Sequence, residues 1–162
     1  ACAESAQGEA VEAVNVRQKQ KLFERISAHF GGALKGRTFA LWGLAFKPDT
    51  DDMRDSPSLD IVPELVKLGA NVRAYDPAGM EEAKKMIEGV TLCEKAYDAM
   101  QGADAVAILT EWNEFRSLDL ERMRGLMTEA NFVDLRNIYR PDEMARAGFT
   151  YVSVGRKTAT PA

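Results

Sequence analysis

Lys47 follows a small-residue turn and could bring a positive charge to a ligand phosphate. The turn, from Trp42 to Phe46, comes directly after an apolar run, where a dinucleotide-binding fold would carry GxGxxG so that backbone amides can approach a pyrophosphate. Gly43 is present, but Ala45 stands at the second glycine position. The pattern therefore favours a side-chain cation at Lys47 over close backbone contact. The alternative is that Gly43 only eases a tight turn and that Lys47 is solvated.

The same loop is densely charged over residues 49–55, and its carboxylates suggest comparison with a metal site. A calcium loop would need oxygen ligands at alternating positions and a central glycine, and this segment has neither. We therefore predict no metal, and we expect the acids to accept hydrogen bonds from backbone amides and to orient Arg54 and Lys47. Ser56 or Ser58 is expected to cap the helix that follows. The carboxylates are those of Asp49, Asp51, Asp52 and Asp55.

Asp76 comes at the end of a predicted strand, where an acidic residue binds the adenosine ribose in many dinucleotide folds. It lies 33 residues after Gly43, whereas the usual interval is about 20 residues. An Asp-Pro turn is an equally good interpretation, because Pro77 follows directly.

Two later segments also carry polar groups after predicted strands. Residues 110–113, Thr-Glu-Trp-Asn, could line a cleft, or they could begin a capped helix with Trp112 in the core. Arg136 could bind a phosphate in a bidentate manner. His29, the one histidine, falls near the end of the first predicted helix, so we expect no catalytic role. Cys2 and Cys93 have neither CxxC nor metal-ligand spacing, which favours a reducing compartment.

These residues must be positioned by an alternation of helices and strands. Apolar residues at helical spacing predict a long helix over residues 9–30, ended by Gly31 and Gly32. Strands are predicted over residues 38–42, 71–75, 90–92, 105–109, 132–133 and 149–152, and helices over 59–68, 81–88, 95–100, 118–127 and 141–147. Such alternation predicts an α/β fold, a Rossmann-like doubly wound parallel sheet of about six strands in the order 3-2-1-4-5-6. A ligand would then lie beyond the carboxyl ends of the strands.

Composition limits the possible partners. The chain has 162 residues, 46% hydrophobic and 28% charged, with a net charge of -4, which is typical of a soluble globular domain. The absence of a basic excess argues against nucleic acid as a partner, and the apolar runs are too short to cross a membrane. We expect a cytoplasmic protein with no membrane association.

The chain resembles the C-terminal domain of the UDP-glucose 6-dehydrogenases, in the UDP-glucose/GDP-mannose dehydrogenase family. The resemblance rests on GLAFKPDTDDMRDSPS at residues 43–58, YDP at 75–77, LTEWNEF at 109–115, DLRNIY at 134–139 and SVGR at 153–156. VNVRQK at residues 14–19 resembles the end of the central helix through which subunits of the family pair. The resemblance implies that residues 1–35 are the end of this dimerisation helix and a linker, and that residues 36–162 are a UDP-binding domain.

The resemblance also implies roles for single residues. Phe46 and Lys47 would contact UDP-glucose, Arg136 would contact its UDP part, and Arg54 would reach NAD. The full-length enzyme would be a homodimer that oxidises UDP-glucose twice to UDP-glucuronate through a cysteine thioester. NAD would be held mainly by an N-terminal domain.

The family's glycine-rich Cys-Phe-Pro-Lys-Asp motif is not found in the chain. We therefore expect a fragment that contains no catalytic residue and that is inactive alone. Three alternatives stay open: a non-catalytic nucleotide-binding or dimerisation module, a domain of a GDP-mannose or UDP-N-acetylmannosamine dehydrogenase, and an NAD site at the degenerate turn itself.

Overall fold

A computed structural model describes residues 17, 20, 21 and 23–161 of the protein. Most of the first half of the predicted N-terminal helix lies outside the described residues. Within them, residues 17, 20, 21 and 23–29 are helical, and we call this helix α1. The chain then turns through Gly31 and Gly32, both with positive φ, as the predicted end of the helix requires.

Six parallel strands form one sheet in the order β3-β2-β1-β4-β5-β6, which confirms the predicted fold and topology. The strands are β1 (Thr38–Trp42), β2 (Asn71–Tyr75), β3 (Val90–Leu92), β4 (Ala105–Ile108), β5 (Asn131–Asp134) and β6 (Thr150–Ser153). The central strand β4 is buried along its whole length, as its uninterrupted apolar sequence predicts. The chain adds strands β2 and β3 on one side of β1 and strands β4 to β6 on the other. A crevice therefore forms beyond the carboxyl ends of β1 and β4.

Helices connect the strands at close to the predicted positions. They are α2 (Ser58–Lys67), α3 (Met80–Met86), α4 (Ala96–Met100), a 3₁₀ helix (Asn113–Ser117), α5 (Leu120–Leu126) and α6 (Pro141–Arg146). The helix predicted over residues 118–127 is shorter because Asp119 caps α5, accepting hydrogen bonds from the amides of Glu121 and Arg122. The expected serine cap of α2 was wrong. Pro57 occupies the N-cap position and provides no side-chain capping bond.

The sheet separates two layers of the core, and successive side chains of β1 point alternately into one layer and the other. Phe39 and Leu41 belong to the layer shared with α1, α2 and α3. Ala40 and Trp42 belong to the opposite layer, which α4, α5 and α6 cover. Because both faces of the sheet are covered, the buried strands are apolar in succession rather than alternating with polar residues.

Helix α1 runs against the direction of the strands. Arg25 donates a hydrogen bond to the Ser153 carbonyl at the carboxyl end of β6. Four residues later, His29 Nε2 is 3.0 Å from Asn131 Oδ1 at the amino end of β5. His29 therefore lies at the edge of the sheet opposite the crevice.

Gly43 is required for close packing at the carboxyl end of β1. Its φ is 88°, and a Cβ added there would lie 2.4 Å from Thr110 Cβ and 2.7 Å from Thr110 N. We expect Gly43→Ala to lower the free energy of unfolding by more than about 3 kcal/mol, because it adds a clash with backbone to the cost of positive φ. Urea unfolding followed by circular dichroism measures this loss.

Gly102→Ala is the matched control for that substitution. Gly102 also has positive φ, at 72°, but a Cβ there meets no atom within 4 Å. It should therefore cost only about 1–2 kcal/mol, the price of the backbone conformation alone. Equal losses at both positions would show that Thr110 moves aside and that the contact is not restrictive.

Candidate functional site

The carboxyl ends of β1, β2, β4 and β5 bring together four segments of polar sequence. Hydrogen bonds join the loop after β1 to Asp76 after β2 and to Thr110 after β4. Arg136 after β5 reaches back to Leu109 at the end of β4. The four segments therefore meet at the edge of the sheet where the predicted topology places a ligand.

The Asp76 carboxylate is the centre of this edge. The residue is fully buried. Its Oδ2 accepts hydrogen bonds from the amides of Leu44 at 2.7 Å and Ala45 at 2.9 Å, and from Trp112 Nε1 at 3.3 Å. Its Oδ1 accepts from the amides of Ala78 and Gly79, at 2.9 and 2.7 Å. A carboxylate has about four lone-pair sites, so these five donors leave none for a ribose, and the geometry supports the turn interpretation.

The same hydrogen bonds argue against an NAD site at the first turn. In a dinucleotide fold the amides after the first strand face the pyrophosphate. Here the amides of Leu44 and Ala45 already donate to Asp76. An internal anion thus occupies the position that an external phosphate would need.

Further hydrogen bonds fix the backbone on which Phe46 and Lys47 stand. Ser56 and Ser58 donate through their hydroxyls to the Leu44 carbonyl, at 2.6 and 2.8 Å. The Thr110 hydroxyl donates to the Ala45 carbonyl at 2.6 Å. The two serines therefore hold the turn after β1, which is why neither occupies the N-cap position that sequence reasoning gave them.

Phe46 and Lys47 begin the loop that overhangs the crevice. The Phe46 amide donates to the Asp52 carbonyl at 2.7 Å, which closes the base of the loop. The Phe46 side chain is 43% exposed, although it is large and apolar. Lys47 is exposed and makes no hydrogen bond or ion pair with any described residue. The expected contact between Lys47 and the acids of the loop is therefore not seen.

Arg54 is held by Asp52, as the sequence predicts. Arg54 Nε and Nη2 donate to the two carboxylate oxygens of Asp52 at 3.0 and 2.9 Å. Hydrogen bonding to the Arg54 side chain lowers the pKa of Asp52 to about 2. The Arg54 side chain is still 86% exposed. The ion pair therefore orients a cation that remains open to a ligand.

Arg136 extends over the end of β4. Its Nε donates to the Leu109 carbonyl at 2.8 Å and lies 3.3 Å from Glu111 Oε2. Its side chain is 33% exposed. The arginine that the sequence singled out is therefore anchored at the crevice beside Glu111.

Within residues 110–113, Thr110 and Trp112 are buried and serve the packing of the domain. Trp112 is 9% exposed and occupies the N-cap position of the 3₁₀ helix, with its indole bonded to Asp76. Thr110 is fully buried. The core interpretation of Trp112 is supported, whereas Glu111 keeps 37% of its side chain exposed.

Asp134 forms a second buried carboxylate centre, which sequence reasoning missed. It accepts from the amides of Arg136, Ile138 and Tyr139, at 3.0, 2.8 and 3.1 Å, and from the Tyr151 hydroxyl. An aspartate directly after a buried strand was the available signal, the same one that drew attention to Asp76. Asp134 fixes the turn from which Arg136 projects.

No group of three His, Cys, Asp or Glu side chains in residues 17, 20, 21 and 23–161 is arranged to hold a metal ion. Within the same part of the chain, every helix is too short or too polar to cross a membrane.

Comparison with known families identifies the domain. The profile of the UDP-glucose/GDP-mannose dehydrogenase family, UDP binding domain, matches residues 40–141, which include the whole crevice up to Arg136. The chain belongs to this family. The resemblance seen in the sequence motifs is therefore confirmed.

Relatives in the dehydrogenase family match almost the whole chain. A UDP-glucose 6-dehydrogenase of Rhizobium meliloti is 49% identical over 148 residues, which cover 91% of this chain and 34% of the relative. A UDP-glucose 6-dehydrogenase of Pseudomonas aeruginosa is 47% identical over 156 residues, covering 93% of this chain and 34% of the relative. A UDP-glucose dehydrogenase from Pyrobaculum islandicum has a similar structure, with a TM-score of 0.75 and 29% identity over 94% of this chain and 33% of the other. The chain thus spans about a third of the length of these dehydrogenases.

The buried tyrosines of this family domain generate a prediction about alkaline pH. Burial raises the pKa of Tyr75, Tyr139 and Tyr151, and the Asp134 carboxylate adds to the shift at Tyr151. Because the tyrosine pKa is higher in the folded state, the neutral tyrosines make their full contribution to the free energy of unfolding below the unfolded pKa of about 10. That contribution is lost as the pH rises above this value.

We therefore expect stability to fall above about pH 10, and these three tyrosines to ionise only when the domain unfolds. The measurement is a pH titration in which tyrosinate absorbance and circular dichroism are recorded together. A parallel titration in concentrated urea supplies the unfolded reference. Complete ionisation of all tyrosines in a sample with native circular dichroism would contradict the prediction.

Proposed function

We propose that residues 36–162 are the UDP-sugar-binding domain of an NAD-dependent UDP-glucose 6-dehydrogenase, and that residues 1–35 are the end of its central dimerisation helix and a linker. The observation that carries the proposal is the 47–49% identity to UDP-glucose 6-dehydrogenases over 91–93% of the chain. The enzyme would oxidise UDP-glucose to UDP-glucuronate in two steps through a cysteine thioester. It would be a cytoplasmic homodimer.

The crevice offers groups suited to a nucleoside diphosphate sugar. Arg136 is anchored through Nε, and its Nη1 and Nη2 make no hydrogen bond with the described residues, so they can donate to a diphosphate. Lys47 adds a second cation on the loop after β1. The exposed Phe46 ring can pack against a base or sugar face. These side chains would supply binding and orientation, which is how a protein holds a substrate in a reactive position.

Arg54 would face NAD, which accepts hydride when it is bound. The first turn of this domain is filled by Asp76, so the dinucleotide would be held mainly by residues outside this chain. Arg54 stands at the outer side of the loop, fixed by Asp52 and open to solvent. Its role would be an electrostatic contact to the cofactor across the crevice. The chain by itself is then expected to be inactive.

Calorimetric titration with UDP tests the binding proposal. The chain should bind UDP saturably, and Arg136→Ala should weaken binding at least about tenfold, because a hydrogen-bonded charge contact contributes about 1.5–3 kcal/mol. Lys47→Ala should weaken UDP binding only several-fold, because a more exposed cation contributes less than the anchored Arg136.

Lys67→Ala is the matched control for these substitutions. It removes one exposed cation from the last turn of α2, away from the crevice edge, and should leave UDP affinity unchanged. Failure of a folded sample to bind UDP, or equal loss in all three variants, would count against the proposed site.

A complementation experiment separates the enzyme domain from a non-catalytic nucleotide-binding module. A chain carrying the NAD-binding portion of a related dehydrogenase is mixed with this domain, and NADH formation from UDP-glucose is followed by absorbance. Activity that requires both chains and decreases with Arg54→Ala supports the dehydrogenase assignment. UDP binding without recoverable activity would favour the non-catalytic module.

A further inference from the structure

Arg136 is restrained on one side only. Its backbone amide donates to Asp134, and its Nε donates to the Leu109 carbonyl. The guanidinium is thus fixed by its inner nitrogen, while its outer two nitrogens make no hydrogen bond with the described residues. A planar guanidinium held in this way presents its outer edge in a single orientation.

Glu111 is the second group that faces this inner nitrogen. Its Oε2 is buried and has no hydrogen-bond partner among the described residues, yet it lies 3.3 Å from Arg136 Nε. Leu109 and Glu111 belong to the segment after β4, whereas Arg136 belongs to the turn after β5. The contact therefore ties two segments of the crevice together at the side chain proposed to bind phosphate.

The pair is poorly placed to act as a stabilising ion pair. Both side chains are about one-third exposed, at 33% for Arg136 and 37% for Glu111. Ion pairs of that exposure contribute little to folding because solvent screens them and ordering two long side chains costs entropy. An orienting effect on Arg136 is compatible with a small net contribution to folding, since the attraction that restricts the guanidinium is offset by the side-chain entropy that is lost.

We propose that Glu111 is a positioning residue that holds the inner side of the Arg136 guanidinium, so that its outer edge faces the diphosphate of the bound nucleotide sugar. The inference rests on the proposed function, because it assumes that Arg136 binds the UDP phosphates. Supporting groups of this kind make a binding side chain available in its bound geometry before the ligand arrives. Glu111 does not touch the ligand in this arrangement.

The opposite role makes the opposite prediction. If the Glu111 carboxylate competed with the phosphates for Arg136, its removal would tighten UDP binding. If it oriented Arg136, its removal would weaken binding, and the loss would require Arg136. The sign of the change and its dependence on Arg136 therefore decide between the two roles.

The test is a double-mutant cycle in the 162-residue chain with UDP affinity measured by calorimetry. We expect Glu111→Ala to raise Kd about threefold to tenfold, as for coupled neighbouring residues. In an Arg136→Ala background, the same substitution should cause no further change. Melting temperatures of all variants are compared with that of the parent, and they should be unchanged for Glu111→Ala.

Glu129→Gln and Glu111→Gln are compared directly as matched substitutions. The Arg37–Glu129 pair has similar geometry, with 3.4 Å between Arg37 Nη1 and Glu129 Oε2 and side chains 32% and 50% exposed, but it lies at the amino end of β5. Glu129→Gln should leave UDP affinity unchanged, whereas Glu111→Gln should weaken it by less than Glu111→Ala, because the amide oxygen keeps a partial negative charge beside Arg136 Nε.

Each outcome has a definite meaning. An unchanged or tighter Kd for Glu111→Ala, or an equal loss with and without Arg136, overturns the positioning role while leaving the UDP site standing on the Arg136→Ala result. No UDP binding by the parent counts against the proposed function and overturns the positioning role with it, whereas UDP binding that Arg136→Ala does not change overturns the Arg136 contact and the positioning role together.

Discussion

The carboxyl edge of this domain depends on one buried carboxylate surrounded by N–H donors. Asp76 accepts from four backbone amides and the Trp112 indole, and these donors come from the segments after β1, β2 and β4. A buried carboxylate is costly unless such bonds compensate for lost hydration. Because the donors belong to three different segments, that requirement sets their relative positions and hence the base of the crevice.

Filling this position from within changes how the domain can recognise a nucleotide. In dinucleotide folds the glycine-rich backbone approaches the phosphates directly. Here Asp76 engages those amides, and the ligand contacts that we propose come from side chains on the surrounding loops, Lys47 and Arg136. Side-chain recognition requires each cation to be oriented separately. Asp52 orients Arg54 by a bidentate contact, and Asp134 fixes the turn that carries Arg136.

The sequence predicted the topology well because local and long-range signals agree. Continuous apolar runs of strand length that alternate with helical segments favour parallel strands covered on both faces, and right-handed connections leave few possible strand orders. The convergence of the four segments follows from that topology. The sequence could not show which polar side chains form hydrogen bonds within the domain and are therefore not available to a ligand. Ser56 has the residue type of a helix cap, yet its hydroxyl donates to Leu44, because the buried carbonyl is brought near only by tertiary packing. Lys47 and Arg54 look alike in a charged loop, but among the described residues Arg54 is hydrogen-bonded to Asp52 whereas Lys47 makes no hydrogen bond.

The direction of α1 has a consequence for assembly. Its Arg25 end lies against the carboxyl end of β6 and its His29 end against the amino end of β5. A second domain connected through the amino end of this helix would approach from the same edge of the sheet as the crevice. The tether would then raise the local concentration of that domain at the ligand, since a short connection confines it to a small volume.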